Sequence, residues 1–182
     1  MQGIFHQAIA LSLLVLSQNL FANDDSPFST GPVFEQFGEN AQVDGGLLNP
    51  KDQRFKVVFD VAKSNDPGKL NSHFNSVARF INMHVRAGVP QENIEVALVV
   101  HGKATFDLLK PDVFTSKFDN ANANSALLRD LIAQGVSIYL CGQSAHHLEV
   151  NPKDVIEDVQ ISLSAMTANA LLQQQGYTLN PL

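Results

Sequence analysis

Cysteine occurs once in the 182 residues and tryptophan not at all. A single thiol cannot close a disulfide within the chain, so the fold has no covalent framework, and a zinc site built from cysteines alone is excluded. Basic residues are also few. Twelve Lys and Arg against 18 Asp and Glu give a formal charge of −6, and non-specific nucleic-acid binding needs clustered Lys and Arg. No glycine-rich phosphate loop occurs: Asp66-Pro67-Gly68-Lys69 is a turn without the spacing of a P-loop. No GxSxG elbow is present, so a hydrolase pairing Ser164 with His101 has little sequence support.

The longest apolar run is short. Ala8 to Leu16 contains only Ser12 as a polar residue, and after a polar step the sequence reaches Leu20-Phe21-Ala22. The amino end carries His6 but no Lys or Arg. Nine residues cannot span a hydrocarbon core of roughly 30 Å. The pattern predicts a secretory leader over residues 1–22, cut before Asn23, with a mature chain of 160 residues in the periplasm or outside the cell. No membrane association is expected after that cut.

Hydrophobic residues make up 45% of the chain, enough for a substantial core. The acidic excess is local. Residues 23–50 hold five acids (Asp24, Asp25, Glu35, Glu39, Asp44) and no base, whereas residues 51–182 hold 13 acids and 12 bases. Pro27, Gly31, Pro32, Gly38, Gly45, Gly46 and Pro50 disfavour regular structure there. Residues 23–50 therefore read as an arm, expected to pack on the body through Phe28, Val33, Phe34 and Phe37 rather than to extend as a partner-binding tail.

Residues 51–182 read as one α/β domain. Phe55–Val61, Ile94–Val100 and Val136–Leu140 are β-branched or aromatic runs, and a fourth strand falls within Val155–Leu163. Helical spacing of apolar residues covers Leu70–Ala87, Ser125–Gln134 and Ala165–Gln175, each followed by a glycine. A short helix over Ala104–Leu109 is expected to stop before Pro111, and Tyr177–Leu182 to add an edge segment. Alternating strands and helices imply βαβ units and a mostly parallel sheet, a three-layer, doubly wound sandwich.

Ligands of such sheets bind at the carboxyl ends of the strands. Ser64 and Asn65 follow the first strand, His101 and Gly102 the second, Cys141, Gly142 and Gln143 the third, and Ser164 the fourth. Cys141 stands at a strand-to-turn step, where backbone N–H groups of a following helix would favour the thiolate. His101 is the candidate proton acceptor or cation beside it. A simply buried cysteine is the competing reading. His146 and His147 are adjacent and about 100° apart on a helix, so no metal site is expected, and no cofactor. His73 and His84 share a helix face with Phe80, which reads as a subunit contact or a solvated stripe.

These residues together resemble a known family. Lys56–Val61, Val77–Asn82 with Ala87-Gly88-Val89-Pro90, Val99-Val100-His101-Gly102, Gly135-Val136, Cys141-Gly142-Gln143 and Leu163–Thr167 with Gly176-Tyr177 resemble the exported branch of the DsrE/DsrF-like family. The resemblance implies a flavodoxin-like sandwich that assembles into homo-oligomers. It also implies sulfur handling, since cytoplasmic relatives carry persulfide sulfur on a cysteine matched here by Cys141. The implied partners are thiol-bearing sulfur donors or acceptors. The alternative is a non-catalytic module that binds a small ligand or a protein on the same rim. Arg79 and Asn82 match the family's helix pattern and are expected to serve a subunit contact.

Overall fold

The structure, a computed structural model, describes residues 26–181. The expected leader, residues 1–22, lies outside the described residues. Two short strands, β1 (Phe28–Ser29) and β2 (Asn40–Ala41), pair as a ribbon in the arm. The body runs β3 (Phe55–Val61), α1 (Ser72–Arg86), β4 (Ile94–Val100), α2 (Pro111–Phe118), α3 (Ser125–Ala133), β5 (Ser137–Cys141), α4 (Gly142–His147), β6 (Val159–Ser162), α5 (Ala165–Gln174) and β7 (Thr178–Pro181).

The sheet order is β6-β5-β4-β3-β7, and each pairing is parallel. From β3 to β6 the chain steps in one direction, and right-handed crossovers keep the intervening helices on one face. The return from β6 to β7 crosses the sheet the other way, so α5 lands on the opposite face. The result is the expected three-layer α/β sandwich. Strand alternation sorts the side chains: Val57, Phe59, Val61, Leu98, Val100, Ile138 and Leu140 pack under α1 and α3, while Val58, Ala97, Val99 and Cys141 meet Ala165, Ala168 and Leu172 of α5.

One helix boundary is corrected. Residues Gly102–Leu108 form 3₁₀ turns, and Pro111 opens α2 instead of ending a helix. A proline fits the first helical position because the N–H it lacks would have no partner there. Arg79 and Asn82, expected at a subunit contact, hold the arm in this chain. Asn82 Oδ1 accepts from the N–H groups of Val33 (3.0 Å) and Phe34 (2.8 Å), and its Nδ2 donates to Phe37 O at 2.9 Å. Arg79 donates to Glu39 O at 2.9 Å, and Arg86 reaches Thr30 O, Gly31 O and Asn40 O within 2.6–2.9 Å. The arm's backbone thereby finds the partners it lacks in regular structure. Phe34 is buried beneath it, but Phe28 stays 52% exposed.

His84 is not part of a solvated stripe. Its ring lies tilted against Phe80 (centroids 4.0 Å apart) and edge-on to Phe55 (4.4 Å), and burial holds its pKa below the usual value despite a bond to Phe80 O.

Candidate functional site

Cys141 ends β5 and is itself the N-cap of α4, which begins at Gly142. Its sulfur accepts the Ser144 N–H at 3.4 Å. The largest influence on the thiol is burial, which opposes ionisation. The Ser144 hydroxyl and the N–H groups of Ser144, Ala165 and Gln143 outweigh it, and the pKa lies below that of an ordinary thiol. Ala165 is the first residue of α5, so two helix starts from different elements serve one sulfur.

The neighbours explain why the chain closes this way. A Cβ on Gly142 would lie 2.8 Å from Ser162 O, so only glycine lets β5 and β6 stay paired at the turn. Gly102 has φ +51, and a Cβ there would meet Ala62 O at 2.8 Å. Its N–H donates to Ser144 Oγ at 3.0 Å, which ties the end of β4 to the helix that caps the thiol. Ser164 caps α5: its Oγ accepts the Thr167 N–H at 3.0 Å, which fixes the helix start that supplies the Ala165 N–H. Gln143 is exposed and donates to Leu163 O at 3.3 Å.

Val100 pairs with Leu140, so His101 and Cys141 are the next residues along adjacent strands. His101 Nε2 bonds Asp60 Oδ1 at 2.8 Å, and the other carboxylate oxygen accepts from Asn169 Nδ2 on α5. Ser164 is hydrogen-bonded to Thr167 and His101 to Asp60, so the described residues contain no Ser–His pair of a hydrolase. An open groove of about 400 Å³ is lined by Gly102, Lys103, Gln143, Ser144, His147 and Leu148; Cys141 and His101 are not among its lining residues. Among the described residues no group of three His, Cys, Asp or Glu is placed to hold a metal, and no helix is long and apolar enough to cross a membrane.

The geometry thus brings together Cys141, His101, Gly102, Gly142, Gln143 and Ser164. Asn65 stands apart, exposed in its own turn, donating to Leu70 O at 2.8 Å. Sequence reasoning passed over Asp60 and Asn169, and saw Ser144 only as a possible first residue of the helix after Cys141. Asp60 had a signal, an acid within the apolar strand FKVVFDV, and Ser144 sits three residues after the cap, where helix starts place hydrogen-bonding partners. Asn169 had none, because its role depends on how α5 lies across the sheet.

Comparison with known proteins agrees with this architecture. The model of the DsrE/DsrF-like family matches residues 56–181. The chain belongs to the DsrE/DsrF-like family. Two solved structures share the fold of this family member, each over 70% of this chain and 99% of its own, with a TM-score of 0.50. One is the protein of unknown function MTH1491 from Methanobacterium thermoautotrophicum, 18% identical, and the other the ychN protein from E. coli, 21% identical. A search of curated proteins returns no match. Family membership carries a sulfur-relay-type fold; the reaction has to be argued from the site.

Proposed function

We propose that this chain is an exported, periplasmic DsrE-like protein that carries sulfane sulfur as a persulfide on Cys141. The observation that carries the reading is the sulfur held toward thiolate by N–H donors from two helices, beside His101. A thiolate is the nucleophile of sulfur exchange. Cys141 attacks the terminal sulfur of a polysulfide chain; the Cys141 S–S bond forms, the adjoining S–S bond of the donor breaks, and its electron pair leaves with the shortened polysulfide. No metal or external oxidant enters that balance. A thiol-bearing partner then takes the sulfur. The leader pattern at Ala8–Leu16 with Ala22 supports export. The apolar side chains of Ile161, Leu163 and Met166, 48%, 72% and 81% exposed, support self-assembly.

The test is intact mass after exposure to inorganic polysulfide. The protein should gain the mass of one sulfur atom, removable by a reductant and absent in Cys141→Ala. Wild-type protein that takes up no sulfur from polysulfide, or Cys141→Ala that takes up as much, overturns the reading.

The low exposure of Cys141, 5%, favours a second reading, a binding module in which the thiol is only packed. That reading expects slow native alkylation of Cys141 and an alkylation midpoint no lower than the roughly 8.5 of a free thiol.

A further inference from the structure

We propose that Asp60 and Asn169 are positioning residues that make His101 the proton carrier for delivery of sulfur from Cys141. The reaction rests on the persulfide reading; the arrangement rests on geometry alone.

Asp60 lies on the α5 face of the sheet, two residues after Val58, where an apolar side chain would continue the packing. It is instead a carboxylate with one donor on each oxygen, from two different elements. An ionised carboxylate only accepts, so the 2.8 Å contact requires the proton on Nε2 of neutral His101 and leaves Nδ1 as the basic nitrogen. Asn169 donates to the second oxygen and keeps the carboxylate from turning. Its own Oδ1 is buried without a partner, so the amide is oriented by Asp60 and by nothing on its other side. The His101 backbone is fixed as well, since its N–H donates to Val61 O at 3.0 Å.

The donors that lower the Cys141 pKa are Ser144, Ala165 and Gln143. His101 is not among them, so the lowered thiol pKa does not depend on it. A carrier that must pass sulfur to another thiol has one further need: the acceptor thiol must lose its proton. His101 takes that proton on Nδ1. The acceptor thiolate attacks the outer sulfur of protonated Cys141 persulfide, the new S–S bond forms, and the Cys141 S–S bond breaks with its electron pair left on Sγ. The acceptor leaves as a persulfide, Cys141 returns as thiolate, and the proton remains on His101, where the Asp60 carboxylate stabilises it. The titratable and charged groups placed next to His101 are Asp60 on β3, Cys141 on β5 and Lys103 on its own loop; α5 presents the neutral Asn169.

The test is Asp60→Asn. The Asn169 amide, held by nothing on its other side, can turn to accept from the new amide, so Nε2 keeps an oxygen acceptor but protonated His101 loses the carboxylate charge that stabilises it. Nitrogen-15 NMR at alkaline pH should show the Nε2–H tautomer in the wild type. Transfer from preloaded Cys141 to β-mercaptoethanol should fall by about a hundredfold or more, the scale of a lost general base. Alkylation of Cys141 by iodoacetamide should change by less than about threefold, because its N–H donors remain. His101→Gln should match this loss, and the two substitutions together should cost no more than either alone. Should Asp60→Asn fail to fold, Asn169→Ala, which keeps the 2.8 Å bond, should lose about tenfold in transfer. An Nδ1–H wild type, or transfer at the wild-type rate in Asp60→Asn or His101→Gln, overturns the proposal. Absence of sulfur uptake by the wild type defeats the persulfide reading instead, and the tautomer still decides the positioning.

Discussion

The two faces of the sheet are built from the same strands and do different work. Toward α1 and α3 the strands present Phe59, Val61, Leu98, Ile138 and Leu140, and the helices answer with Phe74, Leu127, Leu128 and Leu131, all at or near zero exposure. Toward α5 they present Val58, Ala97, Val99 and Cys141 against Ala165, Ala168 and Leu172. Small residues let a single helix lie close, and a single helix leaves the flanks of that face open to water. Asp60 and His101, with side chains 25% and 29% exposed, occupy those flanks. The thick face supplies most of the apolar burial that holds the fold. The thin face can therefore keep polar groups half-solvated, where an ionised carboxylate is tolerable.

The comparison breaks if the two layers turn out equally important to stability. Leu128→Ala, at a site sealed on every side, should cost about 4 kcal/mol, because the cavity cannot collapse. Leu172→Ala on α5, 4% exposed, should cost about 2 kcal/mol, since water and a shift of one helix relieve the void. Urea unfolding measures both, and equal losses would refute the division.

The arm belongs to the thick side and sharpens the point. A Cβ on Gly38 would lie 2.4 Å from Arg79 N and 2.5 Å from Ala78 C, at φ +67. Gly38→Ala must lift the arm from α1, at a cost of roughly 2–3 kcal/mol. Proteolysis should then cut within residues 30–45 while native alkylation of Cys141 keeps its wild-type rate. A changed Cys141 rate would mean that the two faces communicate.

On the thin face the effect is chemical rather than structural. Ser144→Ala removes the hydroxyl that bonds the sulfur and the acceptor of the Gly102 N–H. The thiol should rise toward its ordinary value, and iodoacetamide labelling near neutral pH should slow by about tenfold or less, with a stability loss of about 1 kcal/mol. Because the folded thiol titrates below the unfolded one, its contribution to stability is present above the unfolded value and is lost as pH falls through the folded one. The wild type should show that loss more clearly than Ser144→Ala.

The layers were readable from the chain because period-two strands and glycine-ended helices are local patterns, and export of polar residues to the strand ends follows from strand direction. That reasoning reached Cys141, His101, Gly102 and Ser164. It failed where one residue's role depends on a distant element. Arg79 and Asn82 read as contact residues because nothing in the arm's sequence says which helix its carbonyls will meet. Pro111 read as a stop because proline both ends and begins helices, and only the following residues decide. Asn65 follows the same strand end as Ser64, yet its side chain is used up by its own turn.

The smallest expected effect concerns a polar group on the thick side, and it asks whether a charge there is as costly as the comparison implies. Asp107 is 3% exposed, and burial pushes its pKa up, against the hydrogen bonds from Asn71 Nδ2 and Ser64 Oγ, both 2.7 Å. A carboxyl group raised in the folded state favours folding most when protonated. Its contribution is fully present below the unfolded value of about 3.9 and is lost as pH rises through the folded value. Asp107→Asn removes that titration; Ser64 Oγ, which can also accept, and Asn71 can still pair with the amide. The difference in stability between wild type and Asp107→Asn should therefore move in favour of the wild type as pH falls from neutral toward 4, by on the order of 1 kcal/mol, other carboxylates cancelling in the subtraction. Thermal unfolding of both proteins across that range measures it. A difference that stays flat, or moves toward the variant, would mean that Ser64 and Asn71 compensate the buried charge in full, and that the thick face carries polar groups as readily as the thin one.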